Sequence, residues 1–318
     1  MGFMLRSARG LLSHLWWQLG ILENQLLEWR LRAIRAARLA LRSTLSMRKD
    51  FLVLNSGGAY LPGLFSELGA VLGMLEHYEK WHHQYAGVRV DFEAQGLYYD
   101  PAVGANWWEY YFAPIHIGSE AGAETRTIDT DEHVHFSMRC STKITREHGY
   151  RLISRYVRVK PHVREKIDTF VRAYFAGAFV IGIHYRGTDK YEEAPRIPYE
   201  DVRAALDAEV GAVGVDRFQL FVASDEQAFV DYLRNFFPYN LTCWSTDRSV
   251  DGTPNWVDNG NNYKKGEDAL IDCLLLARCH SVIRTASDLG LCATLFNPLL
   301  PAILLTRDPD GKTQSMRC

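Results

Sequence analysis

The chain has 318 residues, a length that suits two domains of ordinary size. Hydrophobic residues make up 47% and charged residues 23%, as is normal for a folded soluble protein. The net charge of −2 excludes a general electrostatic attraction to nucleic acid, so we expect no nucleic-acid partner. The six cysteines are scattered without CxxC or zinc spacing, which favours a reducing, cytoplasmic compartment.

The first segment, residues 1–48, is predicted to be a basic amphipathic helix. Residues 1–50 carry nine Lys or Arg against three Asp or Glu, and apolar and basic side chains alternate at helical spacing. Polar residues interrupt the apolar face, which argues against a transmembrane helix, and no secretory cleavage site is visible. Tryptophans followed by an arginine-rich stretch fit a helix lying on the cytoplasmic face of a membrane. Packing on the protein body or self-association explains the same pattern, and both interpretations stay open.

Residues 49–176 are predicted to form a first α/β domain that ends in a helical bridge. A buried strand over 51–54, a turn over 55–58 and a helix over Leu64–Trp81 form the opening unit of a nucleotide-binding layer. A second strand and loop follow in VRVDFEAQGLYYD, and the aromatic segment NWWEYYFAPI favours core or interdomain packing over sugar stacking. The polar stretch 131–176 is predicted to be mostly helical.

Residues 177–318 are predicted to form a second domain in which strands alternate with helices, which indicates a parallel sheet covered on both faces. Strands are expected at 178–184, 217–225, 241–245, 280–287 and 301–305, and helices at 199–210, 226–237, 266–279 and 288–296. Ligands bind at the carboxyl ends of such strands. We therefore expect the polar loops at 184–193, 224–226 and 285–288 to face one crevice.

Arg186 is the strongest single candidate in these loops, because a guanidinium presents a planar, permanently charged fork that matches phosphate oxygens. The alternative is a salt bridge to Asp189 or Glu192 that only ties the loop. His184 lies two residues earlier on the same side of the strand. It is either a ligand for a nucleobase or ribose, or an ordinary core histidine.

The rest of this loop suggests proton transfer next to a leaving group. Lys190 could neutralise a leaving diphosphate, and Glu193 could take the proton of an attacking hydroxyl. Asp189 is expected to brace the turn or Arg186. A solvated Glu193 without a catalytic role is the alternative.

A second polar region consists of Asp272, within the predicted helix 266–279, and the segment 285–288, which leads into the predicted helix 288–296. Asp272 stands among apolar residues and needs a partner if buried, either the adjacent N–H donors of a guanine base or a neighbouring loop. The segment from Thr285 to Asp288 opens a helix whose free N–H groups suit a phosphate. Ser287 could add a hydroxyl donor or simply cap the helix, and both roles can coexist.

Three motifs in this order, GIHYRGTDK, VASDE and GEDALIDCLLLARCHSVIRTAS, resemble the GT-B fucosyltransferases. That group includes the α1,6-fucosyltransferases, the nodulation fucosyltransferases and, more distantly, the protein O-fucosyltransferases. The similarity is good over 178–298 and loose over 51–75. It implies two Rossmann-like α/β domains that face a cleft, inverting transfer from GDP-fucose, and no metal or other cofactor. The acceptor would be a hydroxyl of a glycan, a glycolipid or a lipid-linked intermediate.

The resemblance also implies roles for individual residues. Arg186 would hold the β-phosphate, His184 and Asp272 the guanine, and Ser287 would help with the diphosphate. The implied catalytic residues are Glu193 as base with Lys190 and Arg186. The implied donor-binding residues are Gly57, Gly58, His184, Arg186, Asp225, Glu226, Asp272, Thr285 and Ser287.

One position departs from the family pattern. The α1,6-enzymes carry a second arginine directly after the first, whereas this chain has Gly187, which weakens the case for a chitobiose-core acceptor. A non-catalytic nucleotide-sugar-binding or glycan-binding protein and a membrane-associated scaffold subunit stay as alternatives. An NAD-dependent dehydrogenase is not expected, because no strand is followed by GxGxxG with an acidic partner.

Overall fold

The computed structural model describes residues 48–56, 62–93, 96–129, 145–188, 195–214, 217–238, 240–250, 252, 260–308 and 310–318. The predicted leader helix, apart from its last residue, lies outside these ranges. So do the predicted site residues Gly57, Gly58, Lys190 and Glu193.

The first unit is a four-stranded sheet with helices against it. Its strands are β1 (Asp50–Asn55), β2 (Tyr85–Val90), β3 (His116–Gly118) and β4 (Glu124–Asp129), and its helices are α1 (Leu64–Trp81) and α2 (Trp108–Tyr111). The strand order is β3-β2-β1-β4, with β1 parallel to β2 and β4 and with β3 antiparallel to β2. Strand β1 is central because its apolar run is buried throughout, and α1 follows it with apolar residues at helical spacing.

Two helices, α3 (Arg146–Tyr156) and α4 (Pro161–Tyr174), lead from the first unit to the second. Helix α3 begins after Thr145, whose side-chain oxygen accepts a hydrogen bond from the backbone of His148. Helix α4 begins with a proline at its first position, where no backbone N–H is needed. The predicted domain boundary at residue 177 lies between α4 and the next strand, and it stays a prediction.

The second unit is a six-stranded sheet. Its strands are β5 (Phe179–Tyr185), β6 (Phe218–Ser224), β7 (Leu241–Thr242), β8 (Ser281–Thr285), β9 (Ala302–Arg307) and β10 (Thr313–Arg317). Its helices are α5 (Tyr199–Val213), α6 (Gln227–Phe236), α7 (Asn262–Leu276) and α8 (Asp288–Phe296). The order is β10-β9-β8-β5-β6-β7, and all neighbours are parallel except β9 and β10.

This strand order creates a crevice at a defined place. From β5 the chain moves outward through β6 to β7, and it then returns to the other side of β5 to form β8 and β9. The connections after β5 and after β8 therefore run in opposite directions, which leaves a gap at the carboxyl ends of these two strands. In open α/β sheets this topological switch point is where ligands bind.

The two units share a continuous apolar core. The predicted packing role of the aromatic segment is confirmed, because Trp107, Trp108 and Tyr111 are each at most 1% exposed. The hydroxyl of Tyr111 donates to the carbonyl of Tyr263 on α7 at 2.7 Å, and the two rings stack. The first unit thus docks on α7 and α8 of the second.

Most predicted elements are confirmed, and the differences have simple causes. Helices α1 and α8 have the predicted bounds. Strands β3, β4 and β10 were not predicted, because they are short or polar strands that lie at the sheet edges. Helix α7 begins at Asn262, before the predicted start at residue 266. No helix in the described part of the chain has both the length and the apolar character needed to cross a bilayer.

Candidate functional site

The turn after β5 lies at the topological switch point. The backbone N–H of Arg186 donates to Thr285 Oγ1 at 3.1 Å, so the ends of β5 and β8 are joined directly. Ser287, two residues later, caps α8 by accepting from the backbone of Leu289 at 3.3 Å. The predicted capping role of Ser287 is thereby confirmed. The predicted juxtaposition of these two loops is also confirmed, and it places Arg186 beside the positive end of α8.

The Arg186 side chain is held by Asp225 and lies near enough to the first unit for its charge to act on Tyr98 there. Its Nε lies 3.2 Å from Asp225 Oδ2, and the side chain is 27% exposed. Its charge also acts on Tyr98 of the first unit: burial raises the pKa of Tyr98 to about 12, and Arg186 opposes that rise. The Tyr98 hydroxyl accepts from the backbone of Leu64 at the start of α1. Arg186 therefore lies near the part of the first unit in which Tyr98 meets the start of α1.

Asp225 directly follows β6, and its carboxylate contacts the turn after β5. Its Oδ1 accepts from the backbone N–H of Gly187 at 2.9 Å, and its Oδ2 accepts from Thr188 Oγ1 at 2.7 Å. With the Arg186 contact, three consecutive residues are bound to one buried carboxylate. This geometry fits a residue that shapes the turn, whereas the sequence had suggested a donor ligand.

Glu226 contacts the chain farther along, at Arg196. Its Oε1 accepts from Arg196 Nη2 at 2.7 Å. Arg196 also donates to the hydroxyls of Tyr185 at 3.2 Å and Tyr199 at 3.1 Å. Glu226 Oε1 is thus engaged with a side chain of its own unit, while its buried Oε2 has no hydrogen-bond partner among the described residues.

His184 is a buried residue of β5 and lies beside Arg284 of β8 in the strand register. Gly290 of α8 covers both, since a Cβ there would come within 3.0 Å of His184 Nδ1 and 3.2 Å of two Arg284 carbons. Burial, with the charges of Arg186 and Arg284, lowers the pKa of His184 to about 3. The ring is therefore neutral at ordinary pH, and its buried Nδ1 has no hydrogen-bond partner among the described residues.

Asp272 lies on α7 and is 6% exposed. Burial raises its pKa to about 8, Asp268 adds to the rise, and Arg248 and Lys264 oppose it. Its Oδ1 is buried without a hydrogen-bond partner among the described residues. An unsatisfied buried acceptor is costly, so a ligand that donates N–H groups to it would gain free energy.

The sequence did not single out several residues that complete these surroundings. Asp268 accepts from the indole Nε1 of Trp244 at 2.9 Å and pairs with Lys264, so it braces the helix face that carries Asp272. Tyr98, Arg196 and Gly290 lie in segments without a recognisable motif. Within the described ranges no group of three or more His, Cys, Asp or Glu side chains could hold a metal ion.

Comparison with known proteins gives structural likenesses only. No protein-family model and no curated protein sequence matches the chain. Among solved structures, the α-1,6-fucosyltransferase NodZ co-crystallised with GDP matches with a TM-score of 0.57 at 17% identity, covering 85% of this chain and 99% of that chain. NodZ soaked with GDP-fucose matches with a TM-score of 0.56 at 18% identity. Arabidopsis thaliana FUT1 in complex with GDP matches with a TM-score of 0.50 at 12% identity, covering 89% and 78%.

The chain has the fold of these fucosyltransferases. The predicted fold class is confirmed: two α/β units with largely parallel, Rossmann-like sheets of the GT-B type. At this level of identity the likeness establishes the architecture, and the functional argument depends on the residues at the switch point.

Proposed function

We propose that the protein is an inverting glycosyltransferase that transfers fucose from GDP-fucose to a hydroxyl of a glycan, glycolipid or lipid-linked acceptor. The observation that carries the proposal is the position of Arg186 and the way its side chain is held. Its guanidinium belongs to the turn at the switch point, is held through Nε by Asp225, and lies near enough to Tyr98 of the first unit for its charge to oppose the rise in the pKa of that residue. NodZ, which shares the fold, has been soaked with GDP-fucose.

The diphosphate is proposed to bind between Arg186 and the start of α8. The two Nη groups of Arg186 would contact the β-phosphate, while the N-terminal N–H groups of α8 add positive potential. In the reaction the bond between fucose C1 and the β-phosphate oxygen breaks, and charge develops on the leaving GDP. Fixed donors that meet this charge lower the barrier by several kcal/mol, on the usual scale of such contacts.

The guanine base is proposed to bind Asp272 and His184. Guanine presents two adjacent N–H donors, which match the paired oxygens of a carboxylate, and Asp272 Oδ1 is a buried acceptor without a partner among the described residues. His184 is neutral and can accept or donate one hydrogen bond at Nδ1. This pair would favour a guanine nucleotide over a uracil or cytosine nucleotide.

The remaining sequence-based assignments stay part of the proposal. Glu193, with Lys190, would accept the proton of the acceptor hydroxyl as that oxygen attacks C1 from the face opposite the leaving group. Gly57 and Gly58 would approach the diphosphate from the first unit. A cytoplasmic location and contact of residues 1–48 with a membrane surface or a second copy also stay predictions.

The direct test is hydrolysis or transfer with a panel of nucleotide sugars, in which GDP-fucose should be consumed in preference to UDP-sugars. Arg186→Ala should abolish turnover. Failure of every nucleoside diphosphate sugar to bind or turn over would refute the proposal. Tight GDP binding without turnover on any acceptor would instead favour the alternative of a non-catalytic nucleotide-sugar-binding protein.

A further inference from the structure

Two neighbouring carboxylates at the end of β6 hold two separate points of the chain that follows β5. Asp225 binds Arg186, Gly187 and Thr188. Glu226 binds Arg196, which is the second described residue after the segment 189–194. Residues 186–188 are therefore held by Asp225 and residue 196 by Glu226, the two residues that directly follow β6.

The backbone of β6 makes this pair of carboxylates rigid. Ser224 Oγ accepts from the backbone N–H of Glu226 at 3.1 Å, and Ser249 exchanges backbone hydrogen bonds with Asp225 and Gln227 at 2.8 and 2.9 Å. The Glu226 side chain has 13% exposure. The Arg196 side chain is 48% exposed, so the pair is buried on its carboxylate side only. The fixed frame of Glu226 still gives the pair a better-defined geometry than a pair between two exposed side chains.

Residue 187, which follows Arg186, lies against the carboxylate of Glu226. A Cβ at Gly187 would come within 2.0 Å of Glu226 Oε2 and within 2.8 Å of the Tyr185 ring. A side chain at residue 187 and the present position of Glu226 are therefore mutually exclusive. The position of Glu226 in its ion pair with Arg196 therefore depends on having glycine, and not arginine, at residue 187.

Arg196 completes the arrangement on the other side. It bridges Glu226 and the hydroxyls of Tyr185 and Tyr199, while Tyr185 in turn donates to the carbonyl of Ile197 at 2.9 Å. Burial and the contact with Glu226 raise the pKa of Tyr199. Removing Glu226 would leave Arg196 with only its two tyrosine contacts, without touching the contacts between Asp225 and Arg186.

We infer that Glu226 and Arg196 are positioning residues, and that Glu226 is not a ligand of the donor. Their ion pair holds the chain at residue 196, just before α5, whereas Asp225 holds Arg186 itself. The kinetic consequence rests on the proposed function. Donor affinity should depend on Asp225 and Arg186, while turnover should depend on the Glu226–Arg196 pair.

The test uses the full chain with Glu226→Ala, Arg196→Ala and the double variant. GDP affinity is measured by calorimetry and GDP-fucose turnover by GDP release. We expect each single variant to lose turnover by roughly 10- to 100-fold, as misplacement of reacting groups by about 1 Å does, and the double variant to lose no more. GDP affinity should stay within about twofold of wild type. Asp207→Asn, which breaks the exposed Arg203–Asp207 pair on α5, is the matched control and should change neither.

A second, independent variant reports on the same ion pair. Gly187→Ala should displace Glu226 and reproduce the loss of turnover, although it removes no charged group. Loss of GDP affinity in parallel with turnover in Glu226→Ala would make Glu226 a donor ligand and overturn the inference. Unchanged turnover, or additive losses in the double variant, would overturn it as well.

Amide hydrogen exchange separates this inference from the proposed function. In the protein without nucleotide, both alanine variants should exchange faster than wild type at Asp201 and Val202, whose backbone N–H groups donate to the carbonyl of Pro198 at 3.1 and 3.2 Å, with Asp207→Asn unchanged. If wild-type protein neither binds GDP nor turns over GDP-fucose, the proposed function fails, and the exchange data alone decide whether the ion pair holds the chain at residue 196. If both variants exchange at the wild-type rate, the inference about the ion pair is refuted.

Discussion

At the scale of single residues, the site is defined by how Arg186 is held. The Nε contact with Asp225 orients the plane of the guanidinium, and the backbone contact with Thr285 fixes its starting point. A lysine at this position would keep the charge but would lose both Nε and the planar fork. The geometry of the donor group, and not charge alone, is therefore expected to set affinity for the diphosphate.

Arg186→Lys should accordingly weaken GDP binding by about 1.5–3 kcal/mol, the range for hydrogen bonds to charged groups, which corresponds to roughly 10- to 150-fold in the dissociation constant. Calorimetric titration measures this directly. Arg203→Lys on the exposed face of α5 is the control and should have no effect. Unaltered GDP affinity in Arg186→Lys would show that a simple positive charge suffices.

Asp272 gives the second residue-scale prediction, because burial raises its pKa to about 8 from the ordinary aspartate value of 3.8. Between these values the folded state holds a proton that the unfolded state has lost, so this group's contribution to stability declines as pH rises through that window. A carboxylate, and not the acid, accepts the guanine N–H donors. GDP binding near neutral pH must therefore release a proton, and affinity should rise by up to about tenfold per pH unit below pH 8.

The measurement is GDP affinity between pH 6 and 8.5 in buffers of different ionisation enthalpy. Asp272→Asn should weaken binding and should flatten the pH dependence, since its amide cannot lose a proton. Proton uptake on binding, or an unchanged pH profile in Asp272→Asn, would contradict the assignment of Asp272 to the base.

At the scale of elements, the site depends on the close approach of α8 to β5 and β8. Gly290 permits that approach, because a Cβ there would meet His184 Nδ1 and Arg284 at 3.0 to 3.2 Å. Gly290→Ala should therefore lower stability by about 1–3 kcal/mol, the usual cost of overpacking, and should also weaken GDP binding. Denaturant unfolding and calorimetry measure the two effects.

The chain offers a matched control in another helix. Gly211 lies within α5, and a Cβ there would meet nothing within 4 Å. Gly211→Ala should raise stability by about 0.5–1 kcal/mol, because alanine is the better helix former, and should leave GDP binding unchanged. Equal behaviour of the two variants would show that the α8 contact is not tight.

Elements with a strong apolar period could be predicted from the sequence, and so could their meeting point. The run after Phe51 and the spacing in α1 and α8 predicted those elements closely, and alternating strands and helices predicted that three loops converge. The pattern could not show β4 or β10, since their exposed, polar residues resemble loops. Nor could it show that both oxygens of Asp225 bind residues 187 and 188, because that depends on tertiary register.

At the scale of the whole molecule, the two units form one packed body through α7 and α8. Tyr111 is fully buried and donates across this boundary to the carbonyl of Tyr263. We expect Tyr111→Phe to remove this hydrogen bond, while the Tyr263 carbonyl keeps its partner within α7, and to cost about 0.5–1.5 kcal/mol of stability within a single cooperative transition. Tyr150→Phe, on the exposed side of α3, should change stability by less than about 0.5 kcal/mol.

Fluorescence and far-UV circular dichroism along a denaturant series distinguish the outcomes. Coincident curves with a lower midpoint in Tyr111→Phe support a shared core. Two separated transitions in the wild type would contradict it.

The central claim is that the switch point of the second sheet binds the diphosphate of a guanine nucleotide through Arg186. The measurement that tests it most directly is calorimetric titration of wild type and Arg186→Ala with GDP, UDP and CMP. We predict that wild type binds GDP in clear preference to the other two nucleotides and that Arg186→Ala loses this binding while staying folded. Equal binding of all three nucleotides, or full GDP affinity in Arg186→Ala, would contradict the account.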